Sequence, residues 1–197
     1  LINKAGSTLF QKHSNSFVLS NALSYHYEDV IEIPKEYSGY SILSDNGEII
    51  HTQEINGRLY CKVSLPPLSF TTFSKGEKLK QSANNASGYV LENELIKYTF
   101  SNDGTLISAL DKETNNDLLD GPGNILSLYE DRPLNWDAWD IDFYYKESLL
   151  ETAKTNKIKQ VISGPVLSSL EFHYTVGNSI VKQLITLGNQ SKRLDFD

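Results

Sequence analysis

Both tryptophans of the chain fall within fourteen residues, 129–142, together with five carboxylates. Flat aromatic faces pack against the apolar C–H face of a pyranose ring, while carboxylates and amides hydrogen-bond to its hydroxyl groups. This combination predicts a loop that contacts a sugar. The candidate contact residues are Arg132, Trp136, Asp137, Trp139 and Asp140.

Two further interpretations of this segment stay open. Glycoside hydrolysis uses a carboxylate pair, separated by about 5 Å for retention and about 6.5–9.5 Å for inversion, but sequence spacing alone cannot establish such a pair. The other interpretation is a structural corner. In that case Trp136 and Trp139 would pack in the core, and the acids would cap backbone groups or pair with Arg132.

Outside this segment the sequence offers little for catalysis. The four histidines, His13, His26, His51 and His173, are far apart, whereas catalytic zinc sites normally contain a close pair of ligands. No nucleophile elbow, phosphate loop or dinucleotide fingerprint is present. The single cysteine, Cys61, lies in an alternating run that is typical of a buried hydrophobe. Outside this segment we therefore expect no catalytic residue, no metal ligand and no cofactor.

The amino-acid composition of the chain argues against some classes of binding partner. Of 197 residues, 39% are hydrophobic and 22% charged, which is typical of a soluble globular protein. The net charge of −7 argues against a nucleic-acid partner. No stretch reaches the roughly 20 apolar residues of a membrane helix, and no signal peptide is visible. We expect a cytoplasmic protein without membrane or nucleic-acid partners. The absence of methionine predicts that the chain is a segment of a longer product.

The elements that must position the tryptophan-rich segment are strands. Short runs rich in β-branched and aromatic residues alternate with turn signals such as Asn56-Gly57 and Asn102-Asp103-Gly104. A polar stretch around residues 76–88 is typical of a linker. We predict the end of a helical region at 1–15, a small antiparallel β-domain at 16–75, the linker at 76–88, and part of a large β-sandwich at 89–197.

The segment from Asn124 to Ile141, with its Arg-Pro-Leu-Asn-Trp-Asp-Ala-Trp-Asp core, closely resembles the hallmark of glycoside hydrolase family 38 α-mannosidases. The similarity is to the bacterial and cytosolic branch. The stretches at 91–94, 103–112, 163–166 and 183–187 resemble flanking parts of the same family in the same order, as does 18–24 upstream. The resemblance extends from about residue 17 to 197.

The resemblance implies a retaining α-mannosidase whose nucleophile, general acid and zinc ion belong to an upstream barrel that this chain lacks. It also implies that the sandwich is of the galactose-mutarotase-like kind and is truncated after Asp197. An incomplete sheet exposes an edge strand. We therefore expect either marginal stability or pairing with a second copy, unless the region around residues 181–196 is covered.

The sequence leaves three functions open. The leading hypothesis is a non-catalytic β-region of an α-mannosidase, which supports the catalytic barrel of the same polypeptide and places the tryptophan loop near an α-mannoside. The second is an autonomous carbohydrate-binding module. The third is a structural scaffold for a homo-oligomer.

Overall fold

The computed structural model describes residues 15–78, 89–136, 138–139 and 141–197. Within these residues the chain forms seventeen β-strands and two short 3-10 helices. Every strand pairing is antiparallel. The predicted all-β, antiparallel fold class is therefore confirmed. The predicted helical end at 1–15 falls almost wholly outside the described residues, as does most of the predicted linker.

The chain divides into two compact units, one comprising residues 1–83 with 164–166 and the other residues 84–163 with 167–197. Strand β7 runs to Lys78, past the point where the sequence predicts the linker to begin. The domain boundaries predicted from the sequence stay predictions.

The first unit contains two sheets, with strand orders β1-β7-β3-β4 and β2-β6-β5. Its strands are β1 Ser16–Asn21, β2 Tyr27–Ile33, β3 Tyr40–Ser44, β4 Ile49–Ile50, β5 Thr52–Ile55, β6 Arg58–Leu65 and β7 Ser69–Lys78, with a 3-10 helix at Lys35–Tyr37.

Alternation along β6 places Leu59, Cys61, Val63 and Leu65 in the core of this unit. Cys61 is fully buried there, and burial raises the pKa of its thiol to about 12. A thiol with so high a pKa is a poor nucleophile at neutral pH. Cys61 is thus a core hydrophobe, as its place in the alternating run predicts.

The second unit contains two four-stranded sheets, β11-β10-β9-β8 and β14-β15-β16-β17, and a two-stranded ribbon, β12-β13. Its strands are β8 Val90–Glu92, β9 Ile96–Phe100, β10 Leu106–Asp111, β11 Asn116–Asp117, β12 Ser127–Tyr129, β13 Leu149–Thr152, β14 Lys154–Ile162, β15 Leu167–Val176, β16 Ser179–Gly188 and β17 Leu194–Phe196, with a 3-10 helix at Phe143–Glu147.

Side chains of both four-stranded sheets of this unit form one core, in which Phe172 is fully buried and its ring lies 5.1 Å from that of Phe100. This is sandwich packing, in which the inner faces of two sheets interdigitate. At the outer edge, β17 pairs with residues 185–187 of β16. The C-terminal residues thus cover part of the edge that the sequence predicts to be exposed.

A partly buried polar network joins the second unit's core to the segment that enters the ribbon. The side-chain amides of Asn124 and Gln183 pair with each other at 3.0 and 3.1 Å, and the Tyr174 hydroxyl donates to Gln183 Oε1 at 3.2 Å. Asn124 Nδ2 also lies 3.0 Å from the Gly104 carbonyl oxygen. A hydrogen-bond network of this kind favours one arrangement of the backbone. The start of the ribbon is therefore held by the sandwich core.

Candidate functional site

The tryptophan-rich segment forms a long loop between β12 and β13, and the ribbon holds both of its ends. Ser127 pairs with Thr152 and Tyr129 with Leu149, and the Glu130 N–H donates to the Ser148 carbonyl oxygen at 2.9 Å. The strands that begin and end the loop are thus neighbours in one ladder. Loop ends fixed in this way lower the entropic cost of ordering the residues between them.

Asp142 accepts hydrogen bonds from three other residues of this loop. Its Oδ2 accepts hydrogen bonds from the Leu134 N–H at 2.9 Å and from the Tyr144 hydroxyl at 2.8 Å. Its carbonyl oxygen accepts the Tyr145 N–H at 3.0 Å. The bond to the Asp142 carboxylate raises the pKa of the Tyr144 phenol. One carboxylate therefore joins backbone that is eight residues away in sequence to the start of the 3-10 helix.

Trp136 and Trp139 lie near the middle of the loop in sequence, and a backbone hydrogen bond joins them. The Trp139 N–H donates to the Trp136 carbonyl oxygen at 2.8 Å, and Trp136 has a φ of +62°. Bulky residues rarely adopt this left-handed conformation, and such strain is concentrated at functional sites. The side chains are 75% and 90% exposed, so the core-packing interpretation of the two tryptophans is wrong.

The other predicted contact residues are less completely placed. Arg132 lies on the same loop, is largely exposed, and pairs with Glu130 through an Nη2–Oε1 contact of 2.6 Å. The structural-corner interpretation anticipated an acid partner for Arg132, and Glu130 is that partner. Asp137 and Asp140 lie outside the described residues. Contact between these five residues and a sugar stays a prediction.

The rest of the loop surface carries side chains that the sequence analysis did not single out. Together with the two tryptophans, three further large apolar side chains in a ten-residue span are between 66% and 90% exposed: Leu134, Ile141 and Phe143. The signal that could have found them is the run of apolar residues between the acids. Asp142 and Tyr144 were missed because their role depends on how the loop closes.

The side chains of the described residues that could bind a metal ion are not grouped into a site. Across the described part of the chain, no group of three or more His, Cys, Asp and Glu side chains is placed to hold a metal ion. A catalytic zinc ion requires three protein ligands, so no zinc-dependent step can be assigned to these residues.

A comparison with protein families decides the affiliation. Residues 91–197, which include the ribbon, the loop and most of the second unit, match the C-terminal domain of glycosyl hydrolases family 38. The chain belongs to glycosyl hydrolase family 38.

A curated relative agrees with this assignment. The family 38 chain is 31% identical over 208 residues to a protein named "Alpha-mannosidase G" from Dictyostelium discoideum. The match takes in 93% of this chain and 19% of the relative, so the chain spans about one fifth of the length of that protein. Among the described residues, no helix is long and apolar enough to span a membrane.

A second group of ionisable residues in the family 38 chain lies on the surface of the β14-β15-β16 sheet. The Glu171 carboxylate is nearly buried and contacts Lys159 Nζ at 2.9 Å, Lys182 Nζ at 2.8 Å and His173 Nε2 at 2.8 Å. Hydrogen bonds from Lys182, His173 and Lys159 hold the pKa of Glu171 well below its usual range. These contacts link β14, β15 and β16 to one another, so the role of Glu171 is structural.

This cluster makes the acid stability of the family 38 chain depend on Glu171. A carboxylate with a lowered folded-state pKa contributes stability above its unfolded pKa of about 4.3, and that contribution is lost as pH falls. At acid pH the free energy of unfolding should fall less steeply with pH in Glu171→Gln than in the wild type. The difference in slope should correspond to at most about one bound proton. Urea midpoints measured from pH 7 to pH 2.5 test this, with Glu94→Gln, at an exposed position, as the control. Equal pH slopes for wild type and Glu171→Gln would contradict it.

The loop of the family 38 chain should depend on Asp142 far more than the sandwich does. Asp142→Ala removes the acceptor for Leu134 N–H and the Tyr144 hydroxyl, and both donors are close enough to water to be solvated. We expect proteolytic cleavage within 131–147 to be at least about tenfold faster, with the global unfolding midpoint unchanged, because local opening and global unfolding are separate events. Asp120→Ala, at an exposed position outside the loop, is the control. Unchanged cleavage in Asp142→Ala would show that the carboxylate does not hold the loop.

Proposed function

We propose that this chain is a non-catalytic β-rich part of a retaining α-mannosidase, and that the nucleophile and general acid are carried elsewhere in the same polypeptide. The observation that carries the proposal is the match of residues 91–197 to the C-terminal domain of family 38. The similarity to a protein named as an α-mannosidase supports it.

We also propose that the complete enzyme depends on zinc held outside this chain. Zinc held there would supply Lewis-acid contacts to hydroxyl groups of the mannoside. The residues described here offer no suitable group of ligands. In this proposal the contribution of the chain is positional and comes from the loop between β12 and β13.

In this proposal the loop lies beside the bound mannoside. Trp136 and Trp139 supply flat apolar faces, while Arg132, Asp137 and Asp140 hydrogen-bond to hydroxyls of the sugar or of the aglycone. The exposure of both indoles and the internal bonds that fix the loop support this role. Contacts away from the reacting bond lower the barrier when they orient the substrate.

Kinetics of the full polypeptide test the role of the loop. We expect Asp137→Asn to raise KM or lower kcat/KM for an oligomannoside by at least about tenfold, the equivalent of about 1.4 kcal/mol of lost binding. The control is Asp120→Asn, since Asp120 is exposed and lies outside the loop. Unchanged kinetics in Asp137→Asn and in Trp139→Ala would remove the loop from the substrate site.

The activity itself is tested with an aryl α-mannoside and the full polypeptide. We expect hydrolysis with retention of anomeric configuration, loss of activity on chelation, and recovery on addition of zinc. The matched aryl β-mannoside and α-glucoside should not be hydrolysed. Hydrolysis that survives exhaustive chelation would contradict the zinc-dependent assignment, and failure to hydrolyse any α-mannoside would contradict the function.

A second candidate function is an autonomous carbohydrate-binding module, and the exposure of both tryptophans favours it. Such a module binds glycans without the rest of the polypeptide. Calorimetric titration of this chain with α-mannobiose distinguishes the two. Saturable binding that is lost in Trp139→Ala would favour the module, while absence of binding favours an accessory region.

The remaining proposals concern location and assembly. We propose a cytoplasmic enzyme of the bacterial and cytosolic branch, on the basis of the tryptophan-rich segment and the single cysteine. A homo-oligomer is the structural alternative. Light scattering of the full polypeptide tests it: removing this region would then dissociate the assembly.

A further inference from the structure

We infer that Asn56 is a modification site, at which the side-chain amide is lost spontaneously and a carboxylate takes its place. The chain contains two Asn-Gly pairs, Asn46-Gly47 and Asn56-Gly57, and both are typical of turns. Local sequence does not distinguish them. The structure does, because hydrogen bonds hold the first pair and not the second. The inference is independent of the proposed function.

The reaction joins the asparagine side chain to the next backbone nitrogen. The Gly57 nitrogen attacks Cγ of Asn56, the Cγ–Nδ2 bond breaks, and ammonia leaves with the proton of the Gly57 amide. Water then opens the resulting five-membered succinimide at either of its two bonds from nitrogen to a carbonyl carbon, which leaves aspartate or isoaspartate. Water is the only co-reactant, and no group is oxidised or reduced. Glycine favours the attack because it has no Cβ beside the nitrogen.

The two pairs are alike in exposure and in the space around them. Asn46 and Asn56 are both exposed. Gly47 and Gly57 both have a positive φ, of +84° and +77°, and a Cβ on either would meet nothing within 4 Å. Steric access to the attacking nitrogen therefore does not separate the two pairs.

Hydrogen bonds restrain both reacting groups of the first pair. Asn46 Oδ1 accepts from the Ser44 hydroxyl and from the Glu48 N–H, the latter at 3.1 Å. The Gly47 N–H donates to the Ser44 carbonyl oxygen at 3.0 Å. The Asn46 amide must leave its donors, and the Gly47 nitrogen its acceptor, before the two react. Each of these bonds lowers the fraction of time that the pair spends in the reactive geometry.

The second pair lacks these restraints. In the part of the chain that the structure describes, neither the Asn56 side chain nor the Gly57 N–H has a hydrogen-bond partner. The pair forms the two-residue turn between Ile55 and Arg58, which face each other in the β5–β6 ladder. Rotation within the turn therefore brings the nitrogen and Cγ together without the loss of a hydrogen bond by either group.

Modification at this turn alters an edge strand. In its sheet β5 pairs with β6 alone, and the turn sets the register of that pairing. Isoaspartate adds one carbon atom to the backbone of the turn, and each product adds one negative charge to a chain whose net charge is −7. Aged protein therefore differs from newly made protein at the β5–β6 hairpin.

Incubation of the full polypeptide at neutral pH, followed by trypsin digestion and tandem mass spectrometry, measures both sites in one peptide. No lysine or arginine lies between Lys35 and Arg58, so residues 36–58 are released together with both asparagines. We expect deamidation at Asn56 to be at least about fivefold faster than at Asn46, since breaking one hydrogen bond of ordinary net strength costs about that factor. In urea, where these bonds are absent, the two rates should converge.

Ser44 provides a matched pair of variants. Ser44→Ala removes the hydroxyl that donates to Asn46, whereas Ser44→Thr keeps a hydroxyl group at this position. We expect Ser44→Ala to increase the rate at Asn46 at least about twofold, Ser44→Thr to leave it slow, and neither to change the rate at Asn56.

Three outcomes would overturn the inference. Equal rates at the two sites of the folded protein, or a faster rate at Asn46, would show that these hydrogen bonds do not decide the reactivity. Absence of deamidation at Asn56 in the folded protein, over a time in which the urea-unfolded protein reacts, would show that the folded turn excludes the reactive geometry.

Discussion

Gly104→Ala should destabilise the chain by about 2–5 kcal/mol, the largest loss we expect from a single methyl group. Gly104 has a φ of +86°, and a Cβ there would lie 2.6 Å from the Tyr174 hydroxyl oxygen and 2.8 Å from Thr155 Oγ1. The left-handed conformation costs a residue with a Cβ about 1–2 kcal/mol, and overpacking adds about 1–3 kcal/mol. The free energy of unfolding in urea, followed by far-ultraviolet circular dichroism, measures the loss.

The control is Gly177→Ala in the same unit. Gly177 also has a positive φ, of +53°, but its added Cβ would meet only the Leu128 Cδ2 atom, at 3.1 Å. A leucine methyl group can move, so only the conformational cost of about 1–2 kcal/mol applies. If both variants lose the same stability, the close approach of Tyr174 to Gly104 does not contribute.

Phe172→Ala should cost about 3–5 kcal/mol, because removal of a buried aromatic ring loses its transfer free energy and leaves a cavity. The ring is fully buried, lies 5.1 Å from Phe100 and stacks against Tyr174 at 6.0 Å. Thermal or urea unfolding of the chain measures the effect.

Phe143→Ala is its control, since it removes the same ring from a side chain that is almost entirely exposed. We expect a change within about 0.5 kcal/mol. A large loss from Phe143→Ala in this chain would mean that this side chain supports the sandwich despite its exposure. A small loss from Phe172→Ala would contradict the shared core of the two sheets.

Much of the fold follows from local sequence rules. The Asn56-Gly57 pair predicts a tight hairpin, and both residues have positive φ values, of +51° and +77°. The run from Leu59 to Leu65 alternates and forms β6, whose inward side chains fill the core. These features depend on neighbours in sequence, so they can be read without tertiary information.

Some segments form strands although they are short or polar. The sequence Thr52-Gln53-Glu54-Ile55 has only one apolar residue, yet it forms β5, because β6 offers it a complete ladder of partners. Leu194–Phe196 likewise becomes β17 through pairing with β16. Pairing with a neighbouring strand, rather than the strand propensity of their own residues, makes such segments β-strands.

The loop shows where sequence reasoning stops. Residue types identify the tryptophan-rich segment and its family, but the exposure of Trp136 and Trp139 could not be derived, since the same residues would serve equally well in a core. The role of Asp142 depends on a contact with backbone eight residues earlier. Contacts of this kind are fixed by loop closure, which leaves no local pattern.

The most direct test of the non-catalytic assignment is an assay of this chain alone with an aryl α-mannoside, after circular dichroism has confirmed that the purified protein is folded. We predict no hydrolysis above background, with or without added zinc, under conditions in which the full polypeptide is active. Hydrolysis by the chain itself would contradict the account. The double replacement of Asp137 and Asp140 by Asn would then show whether these two carboxylates carry it, by abolishing that hydrolysis. The catalytic groups would then lie in the tryptophan loop.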